Sequence, residues 1–391
     1  MCAYIPLSIP NFEGNEKKYV DEAVEQGWVS TGGAFITRLE MDLAAFLHTE
    51  NVAACQSGTS ALHLSLVDAG VRPGDVVLVP PLTFIAAVNP VKYQFATPVF
   101  IDCDDSFCMD PVKLASFCEQ ECKFENGNLL YRGQVVRALV VVHVFGNMAD
   151  MESIMEIARK YSIKVIEDAT EALGTYYTDG LFKGRYAGTI GDYGAFSFNG
   201  NKIITTGGGG AVTSNDSAKV DHLRYLSTQA KNDPHYYIHD EIGYNYRMTN
   251  LQAALGVAQM EELPDFILRK QRNYDLYKAS FEGFDLAKLM PFREGTSSNK
   301  WFYSLLIDRS RISATMREII TVLDQQGIQT RAIWGLINEQ KPYENEITYR
   351  LEKAPYYATR ILNIPSSTQI TEEEIGFVAD HVKALLEELA Q

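Results

Sequence analysis

The chain has 391 residues, of which 46% are apolar and 22% are charged, so it has room for two or three globular domains of about 100–200 residues each. Its formal net charge of −15 excludes a protein that binds nucleic acid through a basic face. The segment Met1 to Gly14 lacks the charge pattern of a signal peptide, and the longest apolar run, Ala138 to Phe145, is too short to span a bilayer. We therefore expect a soluble protein of the cytoplasm.

Short apolar runs alternate with helical patterns between residues 50 and 215. Several of the runs are apolar throughout, which is typical of strands covered on both faces. The predicted strands are Val52–Cys55, Val76–Val79, Pro98–Asp102, Ala138–Val144, Lys164–Asp168, Ala195–Phe198 and Ala211–Thr213. The predicted helices between them include Thr59–Ala69, Pro111–Cys122 and Asp150–Tyr161. This alternation predicts an α/β fold in which a mostly parallel central sheet lies between helices.

The pattern changes after residue 249. A helical stretch runs from Asn250 to Phe281, and we expect Pro264 to interrupt it. The later elements are a Gly/Ser-rich link (294–299), a strand (301–307), a helix (314–326) and a closing helix that begins with a capping box at Thr371 and Glu374. We predict a large domain over residues 1–260 and a smaller C-terminal α+β domain over residues 261–391.

Polar and aromatic residues stand at the predicted carboxyl ends of the strands. They are Ser57-Gly58-Thr59, Thr83-Phe84, His143, Asp168 and Ser197. Functional groups of open α/β sheets gather at that edge. We therefore expect these residues to form one site.

Lys202 lies in a loop just beyond a predicted buried strand, and the glycines 207–210 follow it. An isolated lysine is usually solvated. A lysine flanked by small and polar residues beside a buried strand also suits an amine that forms a Schiff base. The glycine run lacks the G-x-x-x-x-G-K-[ST] pattern, which excludes a P-loop NTPase.

Three further elements have a structural and a functional interpretation. Asp168 is either a helix N-cap or the partner of a protonated pyridine nitrogen. The turn from Gln56 to Ser60 either caps a helix or binds a phosphate at the helix N-terminus. Phe84 is either a core residue or stacks on a flat cofactor. Together with Lys202, and in this order, these elements are the parts that a pyridoxal-phosphate (PLP) site needs.

The cysteines predict no metal site. Cys118 and Cys122 form a C-x3-C pair, but neither a second pair nor a histidine follows at the spacing of zinc ligands. Reduced thiols are the expected state of all six cysteines in a cytosolic protein.

The sequence resembles the DegT/DnrJ/EryC1/StrS family of PLP-dependent sugar aminotransferases, which have the fold type I, or aspartate aminotransferase, architecture. The resemblance covers nearly the whole chain, from the segment 27–32 (GWVSTG) to the segment 363–365 (NIP). It is most specific in the Lys202 block (196–206) and in the segment 243–248 (GYNYRM). It implies a cytoplasmic enzyme that takes an amino group from L-glutamate.

The resemblance implies roles for the residues that match. Lys202 binds PLP covalently and carries protons during catalysis, Asp168 pairs with the pyridine nitrogen, and Phe84 stacks on the ring. Glu171 lies near the position that contacts the 3-hydroxyl of the cofactor, where many members have glutamine. Many members also have glutamate where this chain has Gly208.

The phosphate is implied to be held by Thr59, Ser60 and Ser197. Asn245 is implied to reach the phosphate of the neighbouring subunit's cofactor, which makes the protein a homodimer with shared active sites. The candidate contacts to the nucleotide-linked sugar are Arg331 and Lys231 for the diphosphate and His143 for the sugar.

Within the family, the resemblance is closest to transaminases of the legionaminic acid and bacillosamine pathways. These aminate carbon 4 of a UDP- or GDP-linked 4-keto-6-deoxy-N-acetylglucosamine for bacterial surface glycans such as lipopolysaccharide. The supporting segments are 197–202, 227–231, 329–334 and an insertion over 118–137. Related proteins often have proline and histidine where this chain has Ala332 and Asn338.

Three alternatives stay open on the sequence. The first is an enzyme that acts at carbon 3 of a keto sugar, and the second is an enzyme that acts on a cyclitol. The third is a catalytically silent regulatory protein that keeps the PLP fold. The related sugar dehydratases carry histidine where this chain has Lys202, which argues against that activity.

Overall fold

The computed structural model describes residues 4–233 and 235–390, and Cys2 lies outside them. The helices are α1 (Glu16–Glu25), α2 (Ala34–Leu47), α3 (Gly58–Asp68), α4 (Asn89–Tyr93), α5 (Pro111–Gln120), α6 (Met151–Tyr161), α7 (Ser217–Ser227), α8 (Asn250–Ser280), α9 (Met316–Gln325), α10 (Lys353–Ala358) and α11 (Glu372–Leu389). No helix in these ranges is both long and apolar enough to cross a membrane.

The strands are β1 (Val52–Cys55), β2 (Val76–Val79), β3 (Thr97–Ile101), β4 (Cys122–Glu125), β5 (Asn128–Tyr131), β6 (Gln134–Val142), β7 (Lys164–Asp168), β8 (Tyr176–Tyr177), β9 (Tyr193–Ser197), β10 (Gly210–Thr213), β11 (Lys231–Asp233), β12 (Ile238–His239), β13 (Ala287–Leu289), β14 (Thr296–Ser297), β15 (Tyr303–Ile307), β16 (Arg331–Ala332), β17 (Ile347–Tyr349) and β18 (Ile361–Ile364).

The large sheet has the strand order β1-β10-β9-β7-β6-β2-β3-β17. All neighbours from β9 to β17 on this path are parallel, while β10 runs antiparallel to both β1 and β9. The β4–β5 hairpin joins the sheet off this path, with β5 antiparallel to β6. Every residue of β1, β2 and β10 is buried. The mostly parallel sheet with flanking helices confirms the predicted α/β fold. In register, Val142, Asp168 and Ala195 are neighbours across β6, β7 and β9, so these three strands end at the same edge.

Strand β6 differs from its prediction at both ends. It begins at Gln134 because the β4–β5 hairpin, inside the predicted insertion, pairs with it. It ends at Val142 because Val144 starts a short 3-10 turn, in which Phe145 has a left-handed φ of 56°. Val144 and Phe145 are buried although they lie outside the strand, so the apolar run continues through the turn. The predicted strand was therefore too long at this end, because an apolar run indicates burial and not the backbone conformation.

Helix α8 is continuous through Pro264, so the predicted interruption is wrong. The helix packs against α1 and α2 and against α11, and these contacts stabilise it over its length. Pro264 itself is exposed, where the lost backbone hydrogen bond is least costly because water replaces it.

A four-stranded antiparallel sheet, β13-β15-β18-β16, forms the smaller C-terminal unit. Its core includes Tyr277 of α8, Tyr303 of β15 and Val378 of α11. The predicted domain boundary between residues 260 and 261 stays a prediction, and it lies inside α8. Each unit also contains a segment from the other part of the chain. Near the N-terminus, Ile5 pairs with Ile328 of the C-terminal unit, and β17, late in the chain, joins the large sheet.

Candidate active site

A pocket of about 450 Å³ lies at the carboxyl ends of β1, β6, β7 and β9. It brings together seven of the residues that the sequence singles out: Thr59, Phe84, Asp168, Glu171, Ser197, Lys202 and Arg331. The parallel register explains the convergence, since the loops that follow these strands leave the sheet at one edge.

One end of the pocket is the N-terminus of α3. The Ser57 hydroxyl caps this helix by accepting a hydrogen bond from the Ser60 N–H at 3.0 Å. Ser60 is buried, does not line the pocket, and has its own hydroxyl 2.7 Å from that of Ser57. Ser57, Thr59 and Ser197 do line the pocket. Free N–H groups, hydroxyls and the positive end of the helix dipole together suit a phosphate.

Asp168 is at the end of β7 and only 4% exposed. One of its oxygens accepts the Thr170 N–H at 3.1 Å, and among the residues that the structure describes no lysine, arginine or histidine forms a salt bridge with it. Burial raises the pKa of this carboxyl, while hydrogen bonds from Thr170 and the charge of Lys202 lower it. A buried carboxyl without a cation suits a ligand that brings its own, such as a protonated pyridine nitrogen.

The Lys202 side chain ends inside the pocket. Its Nζ lies 3.3 Å from Oε1 of Glu171 and 4.1 Å from the centroid of the Trp301 ring. The Trp301 indole N–H donates to the Asn201 carbonyl at 2.8 Å, which ties the lysine loop to that ring. Glu171 is buried, and its Oε2 accepts the Phe145 N–H at 2.9 Å.

His143 is not placed for a contact with the sugar. The ring is completely buried, its Nε2 is 2.9 Å from Glu167, and its Nδ1 accepts the Ala149 N–H at 3.1 Å. Both nitrogens are therefore used inside the protein, and the prediction of a substrate contact is corrected. An apolar run with one histidine does not reveal which way the ring points.

Lys231 and Asn245 do not line the pocket of their own chain. Lys231 is exposed on β11, with its ammonium over the Tyr237 ring at 4.9 Å. Asn245 is exposed, and its backbone pairs with that of Thr228. The predicted role of Asn245 in a neighbouring subunit's site and the predicted contact of Lys231 with the nucleotide diphosphate both stay predictions.

Sequence reasoning missed an aromatic wall of the pocket, formed by Phe145, Trp301, Phe302 and Trp334. Trp301 and Phe302 stack at 3.9 Å between ring centroids, and the Phe145 and Trp334 centroids are 4.7 Å apart. These residues come from three separate parts of the chain, since only Trp301 and Phe302 are adjacent, so no local pattern unites all four. The only signal was the segment 329–334, where Trp334 ends a stretch that resembles family members.

The pocket fits PLP. The α3 N-terminus suits the phosphate, Asp168 suits the ring nitrogen, and Lys202 supplies an amine in the same pocket. Phe84, 56% exposed at the pocket, offers an aromatic face. Within the described residues, no group of three or more His, Cys, Asp or Glu side chains is arranged to hold a metal ion.

The chain is similar to aminotransferases of known sequence and structure. The GDP-perosamine synthase of Caulobacter vibrioides is 35% identical and covers 98% of this chain and 98% of its own. The UDP-4-amino-4,6-dideoxy-N-acetyl-beta-L-altrosamine transaminase of Campylobacter jejuni is 28% identical over 92% of each chain. The crystal structure of the aminotransferase TlmJ from Streptoalloteichus hindustanus has a TM-score of 0.88 at 25% identity, covering 99% of this chain and 100% of that one.

The family match extends over both units of the fold, since the DegT/DnrJ/EryC1/StrS aminotransferase family aligns with residues 10–383. The match includes the pocket, the loop that carries Lys202 and most of α11. The chain therefore belongs to the DegT/DnrJ/EryC1/StrS aminotransferase family and is a PLP-dependent sugar aminotransferase.

Proposed function

We propose that this enzyme transfers the amino group of L-glutamate to carbon 4 of a nucleotide-linked 4-keto-6-deoxy-N-acetylglucosamine. The product is a 4-amino-4,6-dideoxy sugar for a bacterial surface glycan, made in the cytoplasm. The observation that carries the proposal is the meeting of Lys202, Asp168 and the α3 N-terminus in one pocket.

The relatives support the choice of acceptor. The name of the Campylobacter protein specifies a 4-amino-4,6-dideoxy sugar on UDP, and that of the Caulobacter protein a sugar on GDP. The first acceptor to test is therefore a nucleotide-linked sugar with a keto group at carbon 4. The alternatives are a sugar with the keto group at carbon 3 and a cyclitol.

Each cofactor-binding residue has a chemical task in this proposal. When bound, PLP supplies an electron-poor ring that accepts the electrons of a breaking bond at the nitrogen-bearing carbon. Asp168 holds the proton on the ring nitrogen, and Phe84 covers the ring face. Thr59 and Ser197, with the α3 N–H groups, hold the phosphate. Lys202 anchors the cofactor and then carries a proton on its freed Nζ.

Arg331 is the candidate for the nucleotide diphosphate. It is exposed on β16 and lines the pocket, so its guanidinium is free to meet an anion that enters from solvent. A planar, permanently charged fork suits phosphate oxygens.

We also propose a homodimer in which Asn245 and Lys231 serve the partner's pocket. Four large apolar side chains on or near the β11–β12 hairpin are between 52% and 87% exposed: Tyr236, Tyr237, Ile238 and Ile242. Clustered exposed apolar residues favour a protein interface, and a second copy of the chain is the proposed occupant.

The function is tested first by absorbance. The purified, PLP-loaded protein is expected to show the visible band of a lysine-bound cofactor, and excess L-glutamate is expected to bleach it. Lys202→Ala should lack the band and lose turnover by about two to four orders of magnitude, because the anchor and the proton carrier are both gone. The exposed Lys183 offers the control Lys183→Ala, which should behave as wild type.

The acceptor is tested by NMR of the product formed from UDP- or GDP-linked 4-keto sugar. Nitrogen on carbon 4 supports the proposal, and nitrogen on carbon 3 contradicts it. A protein that takes up no PLP, or a fully active Lys202→Ala variant, would refute the assignment of Lys202.

A further inference from the structure

Asn363 contributes a buried amide to the wall of the pocket. The residue lies on β18, is 2% exposed and lines the pocket. Its Oδ1 accepts a hydrogen bond from the Ser304 hydroxyl at 2.7 Å, whereas its Nδ2 donates to no atom in the described part of the chain. A buried amide donor is costly to leave unpaired. The amide of Asn363 therefore suits a ligand that brings an acceptor oxygen into the pocket.

The strand register places Asn363 in a row of polar residues. It pairs with Ser304 of β15 on one side and with Arg331 of β16 on the other. Directly paired residues of antiparallel strands point to the same face of the sheet, and Asn363 and Arg331 both line the pocket. Leu362 and Ile364, the neighbours of Asn363 along β18, point to the opposite face and belong to the C-terminal core. The row is therefore fixed by the sheet and not by a loop.

The Ser304 hydroxyl determines which end of the amide meets the ligand. Ser304 is 5% exposed and does not line the pocket. Because Oδ1 of Asn363 is held by this hydroxyl, the NH2 group is directed away from β15. The pocket thus receives a neutral donor from Asn363 next to the charged donor of Arg331.

The proposed acceptor sugar carries two groups that match these donors. Its diphosphate is attached to carbon 1 and its acetamido group to carbon 2, so the two groups leave adjacent atoms of the ring. Directly paired residues have Cβ atoms about 4.5–5.5 Å apart, a spacing that neighbouring substituents can span. A guanidinium suits the phosphate oxygens, and a neutral amide N–H suits a carbonyl oxygen.

We propose that Asn363 determines specificity for the acetamido group at carbon 2, by donating a hydrogen bond from Nδ2 to its carbonyl oxygen while Arg331 binds the diphosphate. Carbon 4 lies across the ring from carbon 1, so a sugar held in this way at β16 and β18 directs carbon 4 into the pocket that contains Lys202. A hydroxyl at carbon 2 has its oxygen directly on the ring and leaves the amide unpaired. This inference rests on the proposed function, because it concerns the acceptor named there.

Calorimetric titration of the PLP-loaded enzyme with unreactive ligands tests the proposal. UDP-N-acetylglucosamine and UDP-glucose differ only at carbon 2 and have no keto group, and the corresponding GDP-linked pair covers the other nucleotide. The wild type should bind the N-acetylated ligand about tenfold more tightly than its partner. Asn363→Ala should lose most of this preference, because it weakens only the N-acetylated ligand. The ratio of two affinities measured on one preparation does not depend on the fraction of folded protein.

Ser304→Ala is the second variant, since it leaves the residues that line the pocket unchanged. It frees Oδ1 of Asn363, so the preference should fall in the same direction by a smaller factor. A wild type that binds the two ligands of each pair equally, or binds none of them, would overturn the inference. So would an Asn363→Ala variant that keeps the preference, or one that weakens both ligands equally.

The titrations separate this inference from the proposed function, because they do not depend on turnover. Cofactor fixed elsewhere than on Lys202, or a product without nitrogen at carbon 4, would overturn the proposed function. An Asn363→Ala variant that keeps the ligand preference but is bleached more slowly by L-glutamate would assign Asn363 to the amino donor, and the inference would fall while the proposed function stands.

Discussion

Gly58 shows how closely the residues of the pocket are packed. A Cβ built on it would lie 2.8 Å from both the Ser197 Cβ and the Thr170 Cγ2. Because one of these neighbours lines the proposed phosphate site and the other follows Asp168 by two residues, any shift is transmitted to the cofactor contacts. The absence of a side chain is therefore a requirement of the site.

We expect Gly58→Ala to weaken PLP binding about tenfold or more and to lower the free energy of unfolding by about 1–3 kcal/mol, the usual cost of overpacking. PLP fluorescence titration and urea unfolding measure the two effects. Gly200→Ala, in the lysine loop, is the control, since a Cβ there meets nothing within 4 Å. Equal behaviour of the two variants would contradict the argument.

The sequence singled out several residues that the structure then brings into one pocket, while their chemical roles stay predictions. Lys202 and Asp168 each had an ordinary structural role as an alternative. They were identified because their order along the chain with the turn at residues 56–60 and Phe84 suits a PLP site, and the structure places both in one pocket. His143 was misassigned because an apolar strand pattern does not reveal the direction of a side chain. The contact between Glu171 and Lys202 joins residues 31 positions apart and depends on a left-handed turn at Phe145, which no propensity indicates.

At the scale of elements, helix α8 is linked to the pocket by its capping box. The Gln252 side-chain oxygen accepts the Thr249 N–H at 3.1 Å, and its amide nitrogen donates to the Gly208 carbonyl at 2.7 Å. Gly208 lines the pocket. The same side chain therefore starts a helix and fixes the glycine run that follows Lys202.

Gln252→Ala should lower the free energy of unfolding by about 1 kcal/mol and also weaken PLP binding. Glu374→Ala removes the equivalent capping-box contact from α11, far from the pocket along the chain. It should cost a similar free energy with PLP affinity unchanged. Urea unfolding and PLP titration of both variants compare the two, and a loss of affinity in Glu374→Ala would show that general destabilisation is responsible.

Strand and helix positions followed from periodicity, and β1, β2 and β7 match their predicted bounds residue for residue. The errors occurred where tertiary contacts outweigh local preference. Helix α8 stays helical at Pro264 because it packs against helices of both units. Strand β6 begins as early as Gln134 because it pairs there with β5. The short strand β17 went unpredicted because its three residues gain their structure only by pairing with β3.

For the whole molecule, the shared-site proposal predicts complementation between two defective chains. Lys202→Ala lacks the anchor, and Asn245→Asp would place a negative charge against the phosphate. Each homodimer should be inactive. A mixed dimer, isolated with two different tags, should recover about half of wild-type activity because one of its two sites is intact. An inactive mixed dimer would show that Asn245 serves its own chain.

The strand β17 has a consequence for how the chain folds as it leaves the ribosome. The large sheet ends on β3 until residues 347–349 are synthesised, although its other strands are complete by residue 213. While residues 214–346 are synthesised, β3 therefore presents an open parallel edge, the kind of surface that pairs with other nascent chains. Only after β17 has docked is this edge covered, so a strand synthesised almost 250 residues later protects β3 from aggregation.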